Sequence, residues 1–215
     1  MTDMAFDAES AYDEAFSGKP AYVVDHIGAS QPFEVDQWSS APDWVDRSLF
    51  IDPCDGATID VGCGPGRLVA ELAARSIPAM GIDVSTEAVR QTRSRGALAL
   101  RRDVFGTIPG EGRWEYALLA DGNLGIGGDP VRLLTRLREV LAPAGQVIAE
   151  VADHGAGFVR ERRRLRVDGR LSAYFEWAVV GLDSIAEVAA DAGLVVASSR
   201  TEGGRHTATL MRAIS

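Results

Sequence analysis

A chain of 215 residues, 46% of them hydrophobic, is long enough to bury the core of one α/β domain with an appended segment. No apolar run approaches the roughly 18 residues that cross a bilayer, and two cysteines, Cys54 and Cys63, give neither a disulfide framework nor a metal-ligand spacing, so no metal is expected. The net charge of −9 is concentrated in the first 60 residues, which weighs against DNA or RNA as substrate; the opening Met1–Asp7 lacks the basic-then-apolar order of a signal peptide, so a cytoplasmic protein without membrane attachment is expected.

Residues 1–50 carry spaced aromatics, Phe6, Tyr12, Phe16, Tyr22, Phe33, Trp38 and Trp44, broken at Gly18-Lys19-Pro20, Gln31-Pro32 and Ala41-Pro42. This reads as an N-terminal helical lid or substrate segment. From residue 51 onward strand and helix patterns alternate, which predicts a mostly parallel sheet covered by helices on both faces. Residues 57–61 read as the first strand and 66–75 as the first helix. Residues 78–82 form the second strand, and Ser85 is placed to cap the helix that follows. Residues 97–100 are a third strand and residues 116–120 a fourth. Asp129-Pro130 then supplies a cap and an N1 proline for a helix to about Leu141. Pro143-Ala144-Gly145 turns into a fifth strand, 146–151.

The texture then changes. Leu165–Val167, Asp168-Gly169 and Arg170–Trp177 read as a β-hairpin, an insertion at about 155–180. A helix follows from about Asp183 to Ala192. Leu194–Ser198 and His206–Met211 are two strands about Gly203-Gly204, the second able to pair antiparallel.

The run Thr58-Ile59-Asp60-Val61-Gly62-Cys63-Gly64-Pro65-Gly66-Arg67-Leu68 carries the main functional signal. A strand running into glycines and then a helix presents backbone N–H groups and a helix N-terminus to a nucleotide-like ligand. A dinucleotide fingerprint would need a third glycine where Arg67 stands. The pattern G-x-G-x-G preceded by Asp60 resembles motif I of the class I S-adenosylmethionine-dependent methyltransferases. Asp83 follows Gly62 by close to the ~20 residues expected of a carboxylate that reaches ribose hydroxyls. Asp103 and Asp121 end the third and fourth strands, where open α/β sheets bind ligands.

The run Asp121–Pro130, Asp-Gly-Asn-Leu-Gly-Ile-Gly-Gly-Asp-Pro, resembles a loop found in a branch of small bacterial methyltransferases. The resemblance implies a Rossmann-like seven-stranded sheet whose last strand is antiparallel, with S-adenosyl-L-methionine as cofactor and S-adenosyl-L-homocysteine as product. It implies that Asp103 accepts from the adenine amino group. Cofactor contacts are expected from Asp60, Gly62, Cys63, Gly64, Gly66, Asp83, Val84, Asp103, Val104, Asp121, Gly122 and Asn123.

Transfer from a sulfonium chiefly requires alignment of the nucleophile, and a general base only where that nucleophile is protonated and weak. Of the three histidines, His154 follows the fifth strand beside Asp153 and His26 lies in the aromatic segment; these two are the candidate bases, and His206 reads as structural. Tyr22, Trp38, Asn123, His154, Phe158 and Arg160 are the candidate acceptor contacts, with Phe16, Phe175 and Trp177 as further wall residues. The arginines between Phe158 and Arg166 read as a solvated hairpin face or as a grip on an anionic acceptor.

The expected activity is methyl transfer to an O, N or C atom of a small molecule, with specialised metabolism as a candidate setting. A protein or RNA methyltransferase is the alternative within the class, although the Asn-Pro-Pro-aromatic motif that would favour it is missing after the fourth strand. A non-catalytic cofactor-binding protein on the same fold is another. A nicotinamide oxidoreductase is disfavoured by Arg67 and by the lack of a Tyr-x-x-x-Lys pair, Lys19 being the only lysine. An exposed aromatic lid is compatible with a homodimer.

Overall fold

The computed structural model describes residues 6–213; the first five residues of the expected N-terminal segment and the last two of the chain lie outside the described residues. In chain order the elements begin with α1 (Ala8–Phe16), β1 (Ala21–Asp25), β2 (Ser30–Pro32), α2 (Val35–Ser39) and α3 (Trp44–Asp46), which runs into a wider helical stretch over Arg47–Ile51. Then come β3 (Thr58–Val61), α4 (Arg67–Ala74), β4 (Ala79–Asp83), α5 (Thr86–Ser94), β5 (Leu98–Arg101) and β6 (Trp114–Leu119). A tight helical stretch over Asn123–Gly128 leads to α6 (Pro130–Val140) and β7 (Leu141–Val151). The chain ends with β8 (Phe158–Val167), β9 (Arg170–Leu171), β10 (Phe175–Val180), α7 (Ile185–Asp191), β11 (Leu194–Glu202) and β12 (Arg205–Arg212).

Seven strands form the main sheet in the order β11-β12-β7-β6-β3-β4-β5. The pairs among β3, β4, β5, β6 and β7 are parallel, and β12 runs antiparallel between β7 and β11. This is the Rossmann-like mixed sheet expected from the sequence. Alternation along β3 sends Ile59 and Val61 into a core with α6 and α7, where Leu133, Leu137 and Val188 pack. On the opposite face Leu49, Phe50 and Ile51 pack against Leu68 and Leu72 of α4 and Leu118 of β6.

Local chemistry sets the helix starts. The Ser85 hydroxyl accepts from the Ala88 N–H at 3.0 Å, and the Asp129 carboxylate accepts from Arg132 N–H at 3.1 Å, with Pro130 as the next residue. Asp168 and Gly169 both have positive φ, 49° and 78°, which matches the twist of a two-residue hairpin turn.

Two expectations need correction. The fifth strand starts at Leu141 rather than after Pro143-Ala144-Gly145, because Leu141 pairs with Trp114 ahead of an irregularity in register. The N-terminal segment is not wholly helical. Its β1–β2 hairpin pairs with the inserted hairpin in a second antiparallel sheet, β10-β8-β1-β2, with β9 on β8. The partner of β1 lies some 140 residues downstream, with Val23 opposite Leu165, so no local pattern announces it. Across the inner face of this sheet lies α1, its Ala11 and Ala15 packed on Leu165 and Val167. The helix is tied to the main domain by Asp13, whose carboxylate accepts from the Ser85 hydroxyl (2.6 Å) and the Glu87 N–H (3.0 Å) at the start of α5.

Candidate active site

A cavity of about 670 Å³ opens between the carboxyl ends of β3, β4 and β5 and the second sheet, within the roughly 300–1,000 Å³ typical of small-molecule sites. Its floor includes Gly62, Cys63, Gly64, Asp83, Val84, Asp103, Val104, Asp121 and Asn123, so most of the expected cofactor residues converge here.

The floor is held by hydrogen bonds between neighbouring loops. Asp83 Oδ2 accepts from the Gly64 N–H at 2.9 Å and Oδ1 from the Ser85 N–H at 2.8 Å. Burial pushes the Asp83 carboxyl above its usual range. Asn123 donates from Nδ2 to the carbonyls of Val61 and Gly62, both at 2.9 Å, locking the loop after β6 onto the glycine loop. Gly62 is required here twice over: its φ is +71°, and a Cβ would sit 2.7 Å from Asn123 Nδ2. Asp103 is solvent-exposed on the rim and accepts from the Phe105 N–H at 3.0 Å.

Three of the expected cofactor residues do not line the cavity. Asp60 is only 3% exposed and faces the α4 side of the sheet, opposite to Ile59 and Val61. Burial, with Asp121, Asp83 and Asp46 nearby and Arg67 opposing, pushes its carboxyl up to about 7. Gly66 turns its Cα toward α5, where a Cβ would meet Thr92 at 2.4 Å. Gly122 caps the Asn123–Gly128 stretch with φ +79° and is exposed.

The acceptor candidates divide more sharply. Trp38 and Asn123 line the cavity; Tyr22, Phe158, Arg160, His154 and His26 do not. Tyr22 and Arg160 lie on the outer face of the second sheet, opposite to Val23 and Arg163, because side chains alternate along β1 and β8. Arg160 pairs with Asp129 and stacks on Phe158. His154 is exposed on a turn. The Asp153 beside it instead accepts at 2.6 Å from His206, whose other nitrogen meets Thr201 at 2.7 Å, making His206 the structural histidine.

The sequence reading missed a buried charge cluster beneath the floor. Arg67 bridges Asp46 (2.8 and 3.0 Å) and Asp121 (2.8 and 2.9 Å), and Arg205 reaches Asp46, Asp121 and Glu150. Although burial disfavours its charge, hydrogen bonds from Asp46 and Asp121 hold the Arg67 guanidinium firmly protonated. The Asp121 carboxylate at the cavity edge is therefore already bound. The one available signal was an arginine at the first position of a helix, where the macrodipole disfavours a cation unless acids offset it.

The roof was also underread. Tyr12, Val23, Gln31, Phe33 and Arg163 line the cavity together with Phe16, Phe175 and Trp177. The glycines of the 121–130 loop serve this roof: a Cβ on Gly125 would sit 2.2 Å from the Ala178 carbonyl, and one on Gly128 2.7 Å from Glu176. They let the loop pass tightly along β10.

Residues 59–145 match a family described as a methyltransferase domain. "Putative methyltransferase YqeM" of Bacillus subtilis (strain 168) is 25% identical over 139 residues, covering 61% of this chain; the chain's match spans about half, 53%, of that relative. A Bacteroides fragilis S-adenosylmethionine-dependent methyltransferase in complex with S-adenosyl-L-homocysteine superposes with a TM-score of 0.78 at 18% identity, covering 100% of this chain and 98% of that one. The Burkholderia thailandensis 1,6-didemethyltoxoflavin-N1-methyltransferase superposes at 0.53 with 16% identity, covering 99% and 80%. Residues 59–145 form a methyltransferase domain, and the chain around them folds as a class I S-adenosylmethionine-dependent methyltransferase.

Proposed function

We propose that this protein transfers the methyl group of S-adenosyl-L-methionine to an O, N or C atom of a small-molecule acceptor. The observation that carries the reading is one cavity with a glycine loop and strand-end carboxylates on its floor and a wall of aromatic side chains opposite. A bound ligand of the Burkholderia neighbour, 1,6-didemethyltoxoflavin, is itself a small molecule.

The floor fits the cofactor. Gly62 and Gly64 have positive φ, +71° and +52°, and leave a side-chain-free backbone over which a nucleoside can lie. Asp83 is fixed by the Gly64 and Ser85 amides and keeps unshared lone pairs for ribose hydroxyls. Asp103, free on the rim, is placed for the adenine amino group, with Val84 and Val104 as apolar flanks. When bound, S-adenosyl-L-methionine supplies a methyl group already activated on sulfur. The chain's own contribution is then alignment and exclusion of water: Trp38, Phe33 and Phe175 wall the space above the floor, and Asn123 fixes the loop between them. No histidine lines the cavity among the described residues, so proton removal by imidazole has no part in this reading.

A polymer acceptor is the weaker alternative, because the second sheet and α1 cover the cavity where a peptide or RNA strand would have to enter. The test is incubation with S-adenosyl-L-methionine labelled on the methyl group and a library of small molecules, peptides and RNA. Label transferred to a small molecule supports the proposal. Label found only on peptide or RNA overturns the acceptor class, and binding without transfer to any of them favours a non-catalytic protein.

A further inference from the structure

The cofactor floor does not account for the opposite wall. There Tyr12 lies 5.6 Å from Phe33 and 5.7 Å from Phe175, Phe33 lies 4.7 Å from Trp38, and Phe175 lies 6.2 Å from Trp177, all between ring centroids. These rings line one continuous surface drawn from α1, α2, β10 and the chain just after β2. An aromatic wall of this extent offers faces and edges to another flat ring.

Two hydrogen-bond donors interrupt it. Arg163 sits opposite Phe175 in the β8–β10 register with its guanidinium 5.5 Å from the centre of Trp177. Its Nε donates to Glu161 Oε1 at 2.7 Å and Nη2 pairs with the same oxygen. That clamp fixes the plane of the guanidinium and leaves Nη1 without a protein acceptor among the described residues. The second donor is the Tyr12 phenol. Burial, and then the Asp83 charge, keep it protonated, with the Arg163 charge acting in opposition and no hydrogen bond acting on it. A buried hydroxyl without a partner is costly unless something completes it.

We infer that the roof is an acceptor subsite for a flat aromatic or heteroaromatic molecule carrying a hydrogen-bond-accepting oxygen, received by Arg163 and Tyr12 while Phe33, Trp38, Phe175 and Trp177 hold its ring. This rests on the methyl-transfer reading and deepens it. A cationic amine would meet the guanidinium with like charge, and a saturated acceptor would forgo the stacking and edge contacts of the wall.

The experiment is calorimetric titration of the S-adenosyl-L-homocysteine-saturated protein with salicylate, umbelliferone and quercetin, and with cyclohexanecarboxylate and cadaverine as controls. Arg163→Met, which keeps a stem over Trp177, and Tyr12→Phe are titrated in parallel, with thermal melts to verify folding. The expected result is binding of at least one flat probe and of neither control. Arg163→Met should weaken that probe about tenfold or more, with Tyr12→Phe weakening it less and neither changing homocysteine-adduct affinity beyond about twofold. Preferred binding of cadaverine or cyclohexanecarboxylate, an unchanged flat probe in Arg163→Met, or binding of no flat probe to a protein that binds S-adenosyl-L-homocysteine overturns the inference. Failure of wild type to bind S-adenosyl-L-homocysteine at all strikes instead at the methyl-transfer reading beneath it.

Discussion

The Arg67 guanidinium holds the Asp121 carboxylate through two hydrogen bonds, Nη1 to Oδ2 at 2.8 Å and Nη2 to Oδ1 at 2.9 Å, while the same side chain grips Asp46. Asp121 has a φ of +53°, a conformation uncommon for a residue with a side chain. The ion pair fixes the start of the 121–130 loop in that conformation, and Asn123 then ties the loop to the glycine turn. A charge cluster beneath the floor thus shapes the floor itself.

Arg67 is 5% exposed, so its removal strands buried acids rather than opening a surface pair. Arg67→Met should lower unfolding free energy by about 3–5 kcal/mol, the range for breaking a buried ion pair from one side. Urea denaturation measures it. A loss under about 1 kcal/mol would mean that the cluster is solvated and of little structural weight.

Asp60 gives the cluster a pH dependence. Its carboxyl, at 3.8 in the unfolded chain, is raised to about 7 in the fold, so folding disfavours its charged form. That cost is absent below about 3.8, grows as pH rises toward about 7 and is constant above. Asp46, shifted downward, acts with the opposite sign and only below 3.8. Asp83 is also raised, so the comparison of Asp60→Asn with wild type isolates Asp60. The variant should gain stability relative to wild type between pH 4 and pH 7, by an order of a few kcal/mol. A stability difference independent of pH would show that Asp60 titrates normally.

Asp83→Ala removes the fixed carboxylate of the floor. S-adenosyl-L-homocysteine affinity should fall by about 1.5–3 kcal/mol, as for a hydrogen bond to a charged group. Unchanged affinity in the folded variant would take Asp83 out of the ribose site.

His154 offers a contrasting case. It is exposed and outside the cavity, so His154→Ala should leave turnover and its pH profile unaltered. A steep loss of turnover would require a rearrangement that carries this turn to the acceptor.

Gly125→Ala places a methyl group 2.2 Å from the Ala178 carbonyl, against backbone that cannot swing aside. Destabilisation of about 1–3 kcal/mol is expected from the overpacking. Thermal melting would contradict this if Gly125→Ala melted at the wild-type temperature.

Much of the parallel core was legible because strand, glycine turn and helix cap are local signals: Thr58–Val61, Gly62–Gly66 and Ser85 each declare themselves within a few residues. The floor of the site followed from the same logic, since Asp83 and Asp103 end strands whose order the alternation implies. The second sheet was not legible, because β1 and β8 each acquire their strand character from a distant partner. Asp60 was misplaced because a motif position says nothing about which side of the strand its carboxylate leaves. The Arg67 cluster joins α3, α4, the β6 end and β12, four segments whose meeting only the fold reveals.

Calorimetric titration of the purified protein with S-adenosyl-L-methionine and S-adenosyl-L-homocysteine, with NADH as the control, tests the central claim most directly. Micromolar-range binding, about −8 kcal/mol, of both sulfur nucleotides and none of NADH is the expected result. Binding of NADH, or of neither sulfur nucleotide to the folded protein, would contradict the assignment of the floor to S-adenosyl-L-methionine.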